Sequence, residues 1–212
     1  GRTHTQDATP LTLSQEFSGY THQVAMGLQR VKDALGRIYE LAQGGTAVGT
    51  GLNTPKGWDV MVAKNMAEIT GLPFVTAPNK FEALAAHDAM VFMSGALSTV
   101  AGACYKIAND IRLLGSGPRC GLGELMLPEN EPGSSIMPGK VNPVIPEFII
   151  SAAHQVYAND QQLTSLAGQG CLELNAYLPS IGHHMIDSLK ILTGTNETVT
   201  GNMLKGLVVN EK

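Results

Sequence analysis

Apolar residues in this chain recur mainly at helical spacing. Between residues 17 and 42 they return every seven residues along two neighbouring seams, which predicts one long helix ended by Gly44-Gly45. The first seam consists of Phe17, Val24, Val31 and Ile38, and the second of Thr21, Leu28, Leu35 and Ala42. A stripe of this width favours near-parallel packing against other helices.

Further helices are predicted downstream, at about 58–69, 81–114, 146–166 and 178–192. Gly71 and Pro73 end the first of these. The second is rich in alanine, glycine and serine, which permits a close approach between helices. Pro146 suits the first turn of the third, because its missing N–H has no partner within a helix at that position.

Strand signals are nearly absent, and residues 72–76 are the one short candidate. Two irregular stretches, 44–57 and 115–144, separate the helices. We therefore expect an all-α fold, an elongated bundle of long helices connected by irregular loops that carry the active-site residues. Helices with apolar residues on more than one face usually find partners in other chains, so we expect this bundle to form the core of an oligomer.

Composition supports an oligomer and excludes several kinds of partner. Charged residues make up 15% of the 212 residues, against roughly 25% in a typical soluble domain, which suggests that part of the surface is covered. The net charge of −4 favours neither nucleic acid nor an anionic membrane. No run of about eighteen apolar residues predicts a membrane span. Three cysteines without a CxxC pair suggest reduced, cytosolic thiols.

The segment Gly133–Pro143 concentrates polar chemistry in an irregular part of the chain. Ser134, Ser135, Lys140 and Asn142 stand among glycines and prolines, which marks an ordered loop. The lysine offers a point charge, the asparagine a donor and an acceptor, and the following helix a positive pole. The loop could therefore hold an anion beside a reactive hydroxyl. From the residues alone, a simple turn that caps the next helix stays equally open.

His4 is the candidate proton carrier, since histidine titrates near neutral pH. Glu147, in the first turn after the loop, is a possible carboxylate partner for it, although a carboxylate there also offsets the helix dipole. The other five histidines are interpreted as structural, and none has the spacing of a zinc site. That spacing gives no reason to expect a metal. Residues 49–53 match no phosphate-binding fingerprint, so we expect no nucleotide cofactor either.

The string Gly133–Asn142 matches the signature G-S-S-x-M-P-x-K-x-N of the aspartase/fumarase superfamily. The chain looks like class II fumarate hydratase over residues 1–8, 49–55, 72–88 and 108–143, and more weakly thereafter. His4 stands where aspartate ammonia-lyases typically carry glutamine, and Gly139 where they usually carry alanine. Both positions favour the hydratase.

The resemblance implies reversible addition of water to fumarate to give L-malate, a step of the tricarboxylic acid cycle, without metal or organic cofactor. It implies that Ser134 is the catalytic base and that His4, paired with Glu147, handles the water. The residues that it implies around the dicarboxylate substrate are Thr3, Ser135, Lys140, Val141 and Asn142.

The family's members are longer than this chain. The resemblance therefore implies that residues 1–212 are the central helical domain, without the N-terminal and C-terminal domains. It also implies a homotetramer whose active sites combine residues of three subunits, so the isolated segment is expected to be inactive. The expected compartment is the cytoplasm, or the mitochondrion for a eukaryotic source. Two alternatives remain: aspartate ammonia-lyase, and a non-catalytic helical assembly module.

Overall fold

The computed structural model describes residues 1–211 and is dominated by helices, which confirms the predicted all-α class. Its helices are α1 (Leu13–Ile38), α2 (Trp58–Thr70), α3 (Lys80–Ala85), α4 (Asp88–Leu114), α5 (Val144–Ala167) and α6 (Leu178–Asn202), followed by a 3₁₀ turn at Leu204–Gly206. The four long helices form a bundle in which α4 packs between α1 and α5, and α5 packs against α6. The predicted ends of α2 and α5 agree with the structure within two residues.

Two apolar clusters fill the bundle. The first joins α1, α4, α5 and α6, and consists of Ala34, Met93, Ala96, Leu97, Ala101, Ala153, Val156, Leu163, Ile181, Met185 and Leu192. The second lies where α4 and α6 end and α5 begins, and consists of Ala108, Ile111, Leu114, Leu125, Ile149 and Met203. Many of these side chains are small, which lets the helix axes approach closely. The second cluster fixes the end of the bundle that carries the candidate site.

Short strand pairs connect segments of the chain that lie outside the long helices. They are β1 (Arg2–Thr3) with β2 (Gln6–Asp7), antiparallel; β3 (Glu40–Leu41) with β4 (Val75–Thr76), parallel; and β5 (Leu125–Met126) with β6 (Val208–Val209), antiparallel. The strand candidate at 72–76 is confirmed over its last two residues, as β4. Each of these strands has two residues, which explains why period-two alternation gave almost no signal.

Helix α1 ends at Ile38, six residues before the predicted stop at Gly44. After it the chain turns extended, because β3 pairs with β4: the Val75 N–H donates to the Tyr39 carbonyl and the Ala77 N–H to the Leu41 carbonyl, both at 2.9 Å. Pairing with a strand more than thirty residues away competes with continuation of the helix. The local apolar pattern contains no sign of that competition.

The predicted helix 81–114 is wrong in one respect, because it is broken at Ala86 and His87 into α3 and α4. The Leu84 carbonyl, which would accept from residue 88 in a continuous helix, accepts the Asn175 N–H at 2.9 Å instead. The His87 carbonyl then starts α4 by accepting the Met90 N–H at 2.9 Å. A contact with the α5–α6 connection therefore causes the break.

Helix α6 runs ten residues beyond its predicted end at Leu192. The extension is rich in threonine and glycine, which are poor helix formers. The hydroxyls of Thr193 and Thr200 donate to carbonyls four residues back, at 2.8 and 2.9 Å. Val199 packs against the second cluster, so tertiary packing overrides low propensity here.

Among the described helices, α4 is long and apolar enough, by length and composition alone, to cross a membrane. It nevertheless packs along α1 and α5, with Ala101, Ala108 and Ile111 buried between them. Near its end, Asp110 accepts the Tyr20 hydroxyl at 2.9 Å and pairs with Lys106. Contacts within the bundle bury 33% of its most apolar window.

The buried Leu163 offers a test of the packing. It is fully buried on α5 at the centre of the first cluster, so Leu163→Ala is expected to lower the free energy of unfolding by about 2–5 kcal/mol. Urea unfolding followed by circular dichroism measures the loss. Leu172→Ala, at a side chain that is 83% exposed, is the matched control and should change stability by less than about 0.5 kcal/mol.

Candidate active site

The signature segment folds as a compact loop between β5 and α5. The Met137 N–H donates to the Ser134 carbonyl and the Lys140 N–H to the Met137 carbonyl, both at 3.1 Å, so two tight turns follow each other. The Ser134 hydroxyl oxygen accepts the Ile136 N–H at 3.3 Å. A hydrogen bond to this oxygen stabilises its anionic form more than its neutral form.

Gly133 and Lys140 approach each other at the base of this loop, which we call its neck. A Cβ atom at Gly133 would lie 2.9 Å from the Lys140 carbonyl oxygen and 3.2 Å from its nitrogen, so only glycine allows the two ends to meet. Gly139 has a φ of +81°, a backbone that glycine adopts without strain. The loop therefore has the closed form of an Ω-loop, and its glycines are required by geometry.

The candidate side chains on and after the loop are accessible. Ser134 and Asn142 are half-buried, whereas Ser135, Lys140, Val141 and Glu147 are exposed. No side chain caps the N-terminus of α5, and the Glu147 N–H closes its first turn on the Pro143 carbonyl at 3.1 Å. The positive end of a long helix thus follows the lysine and the asparagine within four residues along the chain.

His4 lies at the tip of the β1–β2 hairpin. Thr3 pairs with Gln6, which leaves His4 and Thr5 as a two-residue turn with φ values of +54° and +60°. Positive φ at both central residues is the pattern of a type I′ hairpin. Such a backbone is uncommon for histidine and strained for a β-branched threonine. The Thr5 hydroxyl donates to the His4 carbonyl at 2.6 Å and helps to hold the turn.

An ion pair joins the hairpin to the bundle. The Arg2 guanidinium donates to the Glu124 carboxylate, just before β5. This hydrogen bond lowers the pKa of Glu124 and raises the pKa of Arg2. Neither residue is predicted from the sequence, since nothing local to Arg2 indicates a partner 122 positions away.

A cleft of about 760 Å³ lies between the hairpin and the end of α4. His4 and Asp7 line it from the hairpin, Glu16 from α1, and Lys106 and Asp110 from α4. The cleft is therefore polar and of mixed charge. It is large enough for a small dicarboxylate and water.

The hairpin and the loop lie at the same end of the bundle, where α4 ends and α5 begins. Yet no hydrogen bond among residues 1–211 connects His4 with Ser134, and Ser134 does not line the cleft that contains His4. The hypothesised pair of His4 and Glu147 likewise makes no hydrogen bond or ion pair within the part of the chain that the structure describes. The structure thus separates the candidate residues into two groups, called here the candidate half-sites: the hairpin with Thr3 and His4, and the loop with the start of α5 and the remaining candidates.

Three of the other histidines have contacts or burial that are typical of a structural role. The Nδ1 atom of His154 lies 2.8 Å from the Ile150 carbonyl oxygen, and that of His184 lies 3.2 Å from the Asn159 side-chain oxygen. Burial lowers the pKa of His87. Within the described residues, no group of three histidines, cysteines or acidic side chains is placed to hold a metal ion.

Comparison with known proteins places the whole chain beside one group of enzymes. A family model described as Lyase matches residues 1–158. The mitochondrial fumarate hydratase of Dictyostelium discoideum is 59% identical over 212 residues, which are 100% of this chain and 44% of that protein. The class II fumarate hydratase of Mesorhizobium japonicum is 58% identical over 211 residues, which are 100% of this chain and 45% of that protein.

Among solved structures, the class II fumarase from Schistosoma mansoni superposes with a TM-score of 0.97 at 41% sequence identity. The match covers 99% of this chain and 47% of that one. The chain therefore spans less than half the length of the relatives that it matches.

Proposed function

The chain belongs to the lyase family whose model matches residues 1–158, and from this membership we propose that it is the central helical domain of a class II fumarate hydratase. The reaction is the reversible addition of water to fumarate, which gives L-malate in the tricarboxylic acid cycle. The observation that carries the proposal is the complete signature Gly133–Asn142, held in a closed loop against an open helix N-terminus.

The loop suits a substrate with two carboxylates. Lys140 supplies a full positive charge, and the N–H groups at the start of α5 supply a partial one. Asn142, together with Ser135 and Val141, completes the proposed binding surface. When malate loses a proton next to a carboxylate, a second negative charge develops on that carboxylate. Preorganised positive groups stabilise such a charge most in the transition state.

In this proposal Ser134 removes that proton. Its hydroxyl oxygen already accepts the Ile136 N–H, and the nearby lysine and helix N-terminus further favour its anionic form. The carbon–oxygen bond then breaks, and hydroxide departs with a proton from a general acid. His4, oriented by Glu147, takes that role, and Thr3 lines the same side of the substrate.

We place the complete site between subunits of a homotetramer. Support comes from the two half-sites, whose proposed catalytic groups share no contact within residues 1–211, and from the apolar side chains that this bundle leaves exposed. On α1 these include Val24 and Leu28, which are 48% and 56% exposed although both belong to the predicted seams. A neighbouring subunit would bury them and bring a second chain's loop to the hairpin.

The compartment follows from the source of the chain. The similar proteins include a mitochondrial fumarate hydratase from Dictyostelium discoideum and a bacterial one from Mesorhizobium japonicum. We propose the bacterial cytoplasm, or the mitochondrion in a eukaryote.

The proposed reaction is tested with the full-length protein that contains this chain. Ultraviolet absorbance of fumarate should fall on addition of the enzyme and rise when malate is the substrate, without added metal. A parallel assay with aspartate distinguishes the ammonia-lyase, since exclusive release of fumarate from aspartate would contradict the hydratase. An intact full-length protein without activity on either substrate would favour a non-catalytic assembly module.

The proposed acid pair gives a further prediction. His4→Asn should lower kcat by about 10²-fold or more, because the proton donor for the departing hydroxide is lost. Glu147→Gln should lower kcat less, since it changes only the orientation and charge around the histidine. Steady-state kinetics on malate measure both, with His22→Asn on α1 as the matched control. Equal turnover in His4→Asn and His22→Asn would remove His4 from the mechanism.

A further inference from the structure

The β1–β2 hairpin has too few contacts of its own to hold its shape. It has two residues in each strand, and even longer isolated hairpins are marginally stable in water. The left-handed backbone at His4 and Thr5 adds strain at the tip. An ordered hairpin of this kind requires an anchor outside itself.

The backbone of Glu124 is held in place by hydrogen bonds, so this residue can anchor the hairpin. Its N–H donates to the Leu114 carbonyl at 2.8 Å, and its carbonyl accepts the Asn210 N–H at 3.0 Å. The next residue, Leu125, is buried in the second cluster. The backbone of Glu124 is thus held from both sides, between the end of α4 and strand β6.

Arg2 connects the hairpin to this point. Its side chain is 31% exposed and that of Glu124 is 42% exposed, so the pair is partly shielded from solvent. The two side chains meet through a hydrogen bond from Arg2 Nη2 to Glu124 Oε1, and the opposite charges strengthen it. Arg2 stands two residues before the histidine, in the strand that leads directly to the tip.

We propose that Arg2 and Glu124 are positioning residues, which hold the hairpin so that Thr3 and His4 present their side chains to the substrate. The effect on turnover rests on the proposed hydratase function, whereas the effect on the hairpin does not. Neither residue needs to touch the substrate. Their role is to keep a strained two-residue turn in one place.

The test uses the full-length protein with Arg2→Met, Glu124→Gln, the double variant and Arg2→Lys. Hydrogen exchange of the peptide that contains residues 1–11, followed by mass spectrometry, reports the order of the hairpin without reference to activity. Malate turnover gives kcat and KM. The control is Arg37→Met with Glu40→Gln, another arginine–glutamate pair, at the opposite end of α1.

Each single variant should exchange faster in the hairpin and lose about 10- to 100-fold in kcat, with KM nearly unchanged, because small displacements of a catalytic group cost such factors. The double variant should be no worse than either single one, since both remove the same contact. Arg2→Lys should recover part of the loss. The control pair should leave hairpin exchange and kcat at the wild-type level.

Two outcomes would overturn the positioning role. Unchanged hairpin exchange in both single variants would mean that the ion pair does not anchor the hairpin. A raised KM in Arg2→Met, with Glu124→Gln normal, would mean that Arg2 contacts the substrate directly. A wild-type protein without hydratase activity would refute the proposed function, and hairpin exchange alone would then decide whether the pair anchors the hairpin.

Discussion

Ser134→Ala in the full-length protein is expected to lower kcat for malate by orders of magnitude, about 10²–10⁴-fold, with a much smaller change in KM. The substitution removes the oxygen proposed to take the proton. It removes the hydrogen bond that the Ser134 hydroxyl oxygen accepts from the Ile136 N–H, but it keeps the bond from the Met137 N–H to the Ser134 backbone carbonyl and the close approach at Gly133. Steady-state kinetics in both directions measure the loss.

Ser135→Ala is the matched control for this experiment. It removes the neighbouring hydroxyl, which is exposed and proposed to line the substrate, so its main effect should be a higher KM. Comparison of the two variants separates proton transfer from binding. Near-normal turnover in Ser134→Ala would exclude this serine as the base. An equal loss of kcat in both variants would indicate damage to the loop instead.

The features that could be predicted from the sequence are those fixed by neighbouring residues. Helix α2 ends where Gly71 adopts the left-handed backbone, as its position predicts. The signature loop was predicted as a loop because Gly133, Pro138 and Gly139 interrupt any helix, and the structure supplies the reason for two of them. Local backbone chemistry is therefore sufficient for these elements.

The features that could not be predicted depend on distant contacts. The break between α3 and α4 exists because the Asn175 N–H takes the Leu84 carbonyl, although the intervening sequence favours one continuous helix. The turn at His4 adopts positive φ without glycine or asparagine, the usual signals of a type I′ turn. Its anchor, Glu124, lies 122 positions from Arg2. Sequence periodicity contains no information about such pairings.

If the proposed half-sites are correct, one chain by itself does not contain a complete active site. The residues proposed for proton transfer, Ser134 and His4, lie at one end of one bundle, and Ser134 does not line the cleft that contains His4. If each completes a site in another subunit, catalysis depends on assembly as strongly as on the catalytic groups. Exposed apolar side chains on the long helices then contribute to activity, because they hold the subunits together.

Leu28→Glu is therefore expected to abolish activity by preventing assembly of the full-length protein. Leu28 lies on the half of the α1 stripe that α4 leaves uncovered, whereas Gly27 beside it is buried. A carboxylate placed in an apolar interface loses its hydration without gaining a partner. Light scattering after size exclusion should show smaller species than the proposed tetramer, together with malate turnover reduced by at least about 10²-fold, because the site is incomplete within one subunit.

Gln29→Glu adds the same charge one residue further, about 100° around the helix, at an exposed side chain. Its amide donates to Asp33, and the loss of this bond to a like-charge pair costs only about 0.2–0.5 kcal/mol. The variant should keep both the tetramer and the activity. A stable, active tetramer in Leu28→Glu would show that no subunit covers this stripe. A tetramer that persists but unfolds at a lower temperature would show that another part of the same polypeptide covers it. In either case the shared site would need a different contact surface, because the α1 stripe would not lie between subunits.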